Sequence, residues 1–151
     1  MLRQQLSDAL KAAAKSGEKR ALATVRLILA ALKDRDIAAR GRGNPDGVRD
    51  DEILELLQKM VKQRQEAIEL YRRGQRPDLV QQEEEEIAVI SRFLPRALDE
   101  DDTRRAVEGV MTELSAGSIK DMGRVMATLK ERFAGRMDFT KASALVKAKL
   151  A

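Results

Sequence analysis

The sequence predicts an all-α protein built from two helical domains. Hydrophobic residues make up 43% of the chain and charged residues 36%, which is a globular balance. Aromatic residues reach only 3% and Trp is absent, so Leu, Ile, Val, Ala and Met must form the core, a set of residues that favours helices. Apolar residues also recur at spacings of three and four in one segment after another, which is the helical period.

The first four predicted helices form an N-terminal domain, residues 1–94. Leucines one turn apart predict a helix from about Leu2 to Lys15, which Gly17 ends. The second helix ends before a glycine-rich segment, residues 41–47, which we expect to be non-helical and mobile. The apolar seam of this second helix contains Leu22, Val25, Leu29 and Leu32.

The third and fourth predicted helices form a long antiparallel hairpin. The third begins near Asp50, at the start of an acidic cluster that suits the positive end of the helix dipole, and it stops at Gly74. The fourth begins at Pro77, which fits a first helical turn, and runs to about Leu94. Pro95 ends it, because proline disfavours helical geometry in the residue before it.

One charged residue, Arg64, falls inside the apolar seam of the third helix. Folding the hairpin about residues 75 and 76 places it opposite the run of four glutamates that begins at Glu83. We therefore expect a partly buried pair between Arg64 and either Glu83 or Glu86. A register-setting role is favoured over a functional one, because buried pairs often specify packing.

The remaining residues, 95–151, predict a small C-terminal domain of three helices. The first of them covers about Glu100 to Leu114. The next begins after Ser118, which forms a capping box with Asp121 three residues on. The last begins after Asp138, a good N-cap residue.

The composition excludes several classes of function. The chain contains no Cys and no His, which removes cysteine nucleophiles, thiolate metal sites and the commonest general base. The glutamate run is better explained as a solvated helix face than as a metal or acid–base site, because consecutive residues do not converge. We predict no catalytic residue, no metal site and no cofactor.

The N-terminal residues and the apolar stretches predict a cytoplasmic protein with no membrane role. No leader sequence is recognisable at the start. The most apolar stretch, Leu22 to Leu32, is interrupted by Arg26 and is too short to span a membrane.

Charge is distributed unevenly along the C-terminal domain. Residues 95–114 carry three basic and six acidic side chains, whereas residues 115–151 carry eight basic and three acidic ones, a net charge of +5. The second segment contains a candidate nucleic-acid-binding patch, which could neutralise several phosphates. The patch consists of Lys120, Arg124, Lys130, Arg132 and Arg136. The competing interpretation is that basic residues near helix C-termini merely complement the helix dipole.

Two further features leave alternatives open. Gly123 lies inside a predicted helix, where glycine costs about 1 kcal/mol relative to alanine. Close helix packing is the favoured explanation, and the approach of a ligand or another backbone is the other. The segment Tyr71 to Arg76 is a second basic spot, whose tyrosine either stacks on a base or completes the apolar seam.

Three segments resemble the GatB/YqeY family. They are Gln63 to Leu98, with its helix-ending Leu-Pro, then Ser118 to Asp138, with its Lys-Asp-Met-Gly and Gly-Arg-x-Asp motifs, and Val25-Arg26-Leu27 in the opening helix pair. The resemblance covers essentially the whole chain. It implies an N-terminal helical domain followed by a three-helix domain shared with the tail of the GatB component of tRNA-dependent amidotransferases.

The resemblance also implies a functional association. In the amidotransferases the tail is associated with engaging tRNA, and the nominal activity class is carbon–nitrogen ligation with glutamine as amido-N-donor. This sequence lacks a phosphate-cradling glycine loop and an amidase-like serine–lysine arrangement. We therefore expect a non-catalytic module whose partner is tRNA or the tRNA-charging and amidation machinery.

Two alternatives remain. The chain could be a protein-interaction adaptor whose N-terminal helices present a surface to another protein, with the basic patch incidental. It could also be a protein that assists amidotransfer in trans.

Overall fold

The computed structural model describes residues 1–151 and contains seven α-helices and no strand, which confirms the all-α prediction. The helices are α1 (Leu2–Ser16), α2 (Lys19–Gly41), α3 (Asp50–Arg73), α4 (Pro77–Ser91), α5 (Glu100–Glu113), α6 (Met122–Arg132) and α7 (Phe139–Leu150). A 3₁₀ turn, Ile119–Asp121, directly precedes α6. None of the helices combines the length and apolar character needed to cross a membrane.

The chain divides into two compact units, Met1–Pro95 and Arg96–Ala151. The N-terminal unit contains α1 to α4, and α3 packs along α4 as the predicted hairpin. Its main core is formed by apolar side chains from all four helices and from the loop before α3. The core residues are Leu2, Leu6, Ile28, Leu32, Ala39, Val48, Ile53, Leu56, Leu57, Met60 and Ile90.

The glycine-rich segment differs from its prediction at its first residue. Gly41 is the last residue of α2, so the expectation that the helix ends before it is wrong. Glycine costs helical stability but does not forbid the helix, and the backbone N–H of Arg42 still bonds back to the carbonyl of Ala38 at 3.2 Å. At the other end, Val48, the residue that follows the segment, is buried in the core, whereas residues 41–46 are exposed.

Helix α4 ends at Ser91, three residues before the predicted end at Leu94. The backbone N–H groups of Arg92, Phe93 and Leu94 bond to carbonyls three residues back at 3.1–3.2 Å. This is 3₁₀ geometry, which commonly closes a helix end. The α-helix thus gives way to 3₁₀ geometry over the turn that precedes Pro95.

The C-terminal unit contains α5, α6 and α7, and the predicted starts of α5 and α7 are confirmed. The predicted start after Ser118 is wrong for the α-helix, because the capping box there begins the 3₁₀ turn and α6 follows at Met122. Asp121 accepts a hydrogen bond from the backbone N–H of Ser118 at 3.2 Å, completing the capping box. Asp138 accepts from the backbone N–H groups of Thr140 at 3.0 Å and Lys141 at 3.2 Å. The core is built from Val107, Val110, Val125, Leu129, Met137, Ala142, Val146 and Leu150.

Candidate nucleic-acid interface

The basic patch begins at the 3₁₀ turn that leads into α6. Lys120 lies in the turn and is exposed, and Arg124 lies in the first turn of α6. Arg124 Nη2 donates to the carbonyl of Leu114 at 2.9 Å and to Asp121 Oδ1 at 3.2 Å. Arg124 therefore ties the start of α6 to the end of α5, although about half of its side chain stays exposed, at 54%.

The two arginines at the other end of the patch also serve the fold. Arg132 forms a two-point pair with Glu113, with nitrogen–oxygen distances of 2.5 and 2.7 Å. The Arg132 guanidinium holds the pKa of the Glu113 carboxyl below its usual range. Arg136 Nε donates to the carbonyl of Arg96 at 3.1 Å. The acidic segment before residue 115 thus neutralises part of the positive charge that follows it.

Lys120 and Lys130 make no hydrogen bond or ion pair within the chain, and both are exposed. At about 100° per residue, Lys130 lies roughly 120° around α6 from Arg124. Arg124 and Lys130 therefore project from different sides of α6. Lys120 and Lys130 are thus free to bind a partner, whereas the three arginines already bond to backbone or carboxylate groups within the chain.

Gly123 is exposed, and a Cβ added to it would meet no atom within 4 Å. The preferred explanation of this glycine, close helix packing, is therefore wrong. Ala127 and Lys130 follow it at spacings of four and three, so the three residues share one side of the helix, and all are exposed. We call Gly123, Ala127 and Lys130 the open face of α6. Its small residues leave the backbone accessible beside a free amine.

The second basic spot, Tyr71 to Arg76, is largely self-paired. Arg72 lies 3.3 Å from Glu69 and 3.5 Å from Glu84, and Arg76 lies 3.0 Å from Asp78. Tyr71 is half-buried, which favours its role in the apolar seam of the hairpin.

The predicted pair in the hairpin is present. Arg64 Nε donates to Glu86 Oε2 at 3.0 Å and lies 4.0 Å from Glu83 Oε2. Glu86 is only 8% exposed, and Arg64 also donates to the carbonyl of Met60 at 3.1 Å. Burial raises the pKa of the Glu83 carboxyl, and the nearby charge of Glu86 raises it further. No group of three or more carboxylates in the chain is arranged to hold a metal ion.

A second ion pair, which sequence spacing does not reveal, joins the half-buried Arg3 of α1 to the buried Asp36 of α2. Arg3 Nη1 and Nη2 donate to the two carboxylate oxygens of Asp36 at 2.5 and 2.6 Å. Asp36 also accepts from the backbone N–H of Val48 at 3.0 Å, while Arg3 donates to the Val48 carbonyl at 2.7 Å. These bonds lower the pKa of the Asp36 carboxyl, chiefly through Arg3. We call Arg3, Asp36 and Val48 the N-terminal clamp.

The fold defines a class of small all-helical protein in which a four-helix unit is followed by a three-helix unit with a basic surface. The chain belongs to the YqeY-like protein family, whose profile matches residues 3–150.

Two fungal relatives match part of the chain. An uncharacterized protein of Schizosaccharomyces pombe is 30% identical over 95 residues, which cover 63% of this chain and 70% of the relative. The mitochondrial protein called altered inheritance of mitochondria protein 41, from Lachancea thermotolerans, is 31% identical over 93 residues. That match covers 60% of this chain and 48% of the relative, so it spans about half of the relative's length.

Proposed function

We propose that this chain is a non-catalytic module that binds tRNA through the open face of α6 together with Lys120. The observation that carries the proposal is the pair of exposed lysines, Lys120 and Lys130, which have no partner within the chain. Between them lie Gly123 and Ala127, whose small side chains allow a phosphodiester backbone to come close to the helix. Phosphate contacts of this kind need cationic side chains without fixed geometry, which lysine supplies.

The charge distribution supports the same surface. Residues 115–151 carry a net charge of +5, although the whole chain carries only +4. Within that segment Arg132 and Lys149 are paired with Glu113 and Glu108. Four lysines of the segment, Lys120, Lys130, Lys141 and Lys147, remain exposed without a side-chain partner. The proposal assigns the tRNA contact to Lys120 and Lys130 because they flank the small residues Gly123 and Ala127.

The proposal also links the chain to the amidation of tRNA. It rests on the resemblance of the C-terminal unit to the tail domain of the GatB component of tRNA-dependent amidotransferases. In this proposal the activity class, carbon–nitrogen ligation with glutamine as amido-N-donor, belongs to a partner enzyme that acts on the bound tRNA. A cytoplasmic location is part of the same proposal.

A salt titration of binding to unfractionated tRNA tests the proposal. The full chain is compared with a Lys120→Glu, Lys130→Glu variant over about 50 to 200 mM salt, where phosphate contacts weaken steeply. We expect the variant to bind at least tenfold more weakly and to show a shallower dependence on salt. The matched control is Lys11→Glu with Lys62→Glu, which reverses two exposed, unpaired lysines of the N-terminal unit.

Two results would overturn the proposal. One is no binding of tRNA by the wild-type chain at low salt. The other is an equal loss of binding in the control variant, which would make the interaction a matter of net charge alone. A separate assay tests the link to amidation: it measures amidation of misacylated tRNA by an amidotransferase with and without the chain.

A further inference from the structure

The outer side of α2 carries an apolar stripe that no other part of the chain covers. Leu27 is 48% exposed and Ile37 is 56% exposed, although each lies within a helix of a folded unit. Single exposed apolar residues are common on protein surfaces. Here, however, the exposed residues follow a spacing of three and four along one side of the helix. We call this stripe the outer face of α2. It consists of Ala23, Leu27, Ala30, Asp34 and Ile37.

This face has the geometry of one half of a two-helix interface. The spacing is that of the a and d positions of a heptad repeat, the pattern by which one helix packs along another. Ala23 and Ala30 alternate with the larger Leu27 and Ile37. The small residues leave gaps that larger apolar side chains of a second helix can enter, while the large residues project between that helix's own side chains.

A row of basic residues runs beside the outer face. Lys19, Arg26, Lys33 and Arg40 are spaced by seven residues, so they lie along one flank of the stripe, and all four are exposed. None of them forms an ion pair within the chain. Arg40 alone has a partner, the carbonyl of Pro45 at 3.2 Å. We call these four residues the basic row.

The lack of ion pairs in the basic row contrasts with four other exposed arginines of the same unit. Arg49, Arg72, Arg76 and Arg92 each lie within 4 Å of a carboxylate oxygen. The charges of the row are therefore available to a partner, and their spacing matches acidic residues that repeat every seventh position on a second helix.

The same charges argue against a second copy of α2 as the partner. In an antiparallel pair of identical helices the basic row would meet itself, and like charges at such positions destabilise the pair. In a parallel pair the row would meet the opposite flank, where Ala31 and Ala38 offer no carboxylate. The small residues of the stripe also give little apolar area for insertion into a membrane surface, which relies on larger side chains.

We propose that the outer face of α2 binds an acidic amphipathic helix of another protein. The partner helix presents large apolar residues to Ala23 and Ala30 and carboxylates to the basic row. A cationic residue of the partner faces Asp34, and this polar contact within the stripe sets the register. The surface lies on the N-terminal unit, so the proposal does not depend on tRNA binding by the C-terminal unit.

A designed peptide provides a direct test with the full chain. The probe is a fluorescent helix of 23 residues, the length of α2. It carries leucine at the seam positions, glutamate at every flanking position and one lysine to meet Asp34. We expect it to bind the wild-type chain, as measured by fluorescence anisotropy. Arg26→Glu with Lys33→Glu should weaken binding at least tenfold, and Ala30→Gln, which fills a gap on the face, should also weaken it.

Charge exchange separates a specific interface from general attraction. A second peptide with lysine in place of the flanking glutamates should bind the Arg26→Glu, Lys33→Glu variant better than it binds the wild type. The matched control is Lys59→Glu with Lys62→Glu on α3, which should leave binding of the first peptide within about twofold of wild type. All variants change exposed positions, and circular dichroism verifies that each is folded.

Several outcomes would overturn the proposal. They are failure of the peptide to bind, equal binding to wild type and to the Arg26→Glu, Lys33→Glu variant, or equal weakening by the α3 control. If the peptide does not bind, the same double substitution is tested in three further measurements: self-association in sedimentation, binding to tRNA and binding to anionic phosphatidylglycerol vesicles. Loss of any one of them would assign the basic row to that partner instead.

Discussion

Asp36 occupies the space that a side chain at Gly47 would need. A Cβ built on Gly47 would lie 2.8 Å from Asp36 Cγ and closer still to Oδ1, well inside van der Waals contact. Gly47 also has a φ of +80°, in the left-handed region that favours glycine. The loop before α3 can thus close over the buried carboxylate only with glycine at this position.

The first prediction concerns this contact. Gly47→Ala should lower the free energy of unfolding by at least about 2 kcal/mol, since it combines backbone strain with the clash. Gly43→Ala is the matched control, because Gly43 also has a positive φ, +95°, but has open space around it. It should cost only about 1 kcal/mol. Urea unfolding of both variants measures the difference, and equal losses would show that the contact with Asp36 adds nothing.

The second prediction concerns the N-terminal clamp. Asp36→Asn should lower the free energy of unfolding by roughly 2 kcal/mol, because Arg3 loses its charged partner and one acceptor of the buried site becomes a donor. Asp34→Asn, an exposed position on the same helix, should change it by less than about 0.5 kcal/mol. Thermal or urea unfolding at neutral pH compares them.

The clamp also makes stability depend on pH. The pKa of Asp36 is lower in the folded chain than in the unfolded one, chiefly because Arg3 bonds to the carboxylate. Its contribution to stability is therefore complete above the unfolded pKa of about 4 and is lost as the pH falls through the folded pKa. The difference in stability between wild type and Asp36→Asn should shrink on acidification below about pH 4. A difference that stays constant at acid pH would contradict this assignment.

The third prediction concerns Arg64. Arg64→Leu should lower the free energy of unfolding by about 3 kcal/mol, because it leaves the carboxylates of Glu83 and Glu86 buried without their nearest cation. Replacing Glu86 with Leu in the same chain should restore most of the loss, since an apolar pair fits a hairpin seam. Arg72→Leu, on the exposed side of the same helix, should cost no more than about 0.5 kcal/mol.

Unfolding of the single and double variants separates the possible roles of this pair. If Arg64→Leu unfolds like wild type and α3 and α4 keep their register, the pair does not specify the hairpin.

The fourth prediction concerns Gly123. Because a Cβ there meets open space, Gly123→Ala should raise the free energy of unfolding by about 0.5–1 kcal/mol, the usual gain for this change in a helix. Gly109→Ala in α5, where space is also open, is the control and should behave alike. If Gly123→Ala alone weakens tRNA binding while the chain stays stable, the glycine serves close approach of the ligand. A loss of stability in Gly123→Ala would show that its surroundings are not open.

The helices and their caps could be predicted because the signals are local. Ser118 with Asp121, and Asp138 alone, bond to backbone groups within three residues, so sequence spacing nearly determines the contact. The Arg64–Glu86 pair can also be predicted from the sequence, since a short turn between two helices fixes which residues face each other. The residue at which a helix ends is harder to predict next to glycine or proline, because a helix can close there with more than one geometry.

The N-terminal clamp and the arginine partners depend on tertiary packing. Asp34 and Asp36 lie two positions apart on α2, yet Asp34 is exposed and Asp36 is buried. Nothing local distinguishes them, since Arg3 comes from 33 residues earlier in the chain. In the same way, Arg132 looks free in the sequence, and only the packing of α6 beside α5 brings it to Glu113. The nearest signal for the clamp in the sequence is the presence of glycine at position 47.

The N-terminal clamp has a consequence for the opposite side of α2. Asp36 fixes the last turns of that helix to α1 and to the loop before α3, so Ile37 and Arg40 lie on backbone that is already ordered. A helix end fixed in this way loses little conformational entropy when another helix docks against it. Weakening the clamp should therefore slow the association of a partner helix or speed its dissociation, even though no clamp residue would contact that helix.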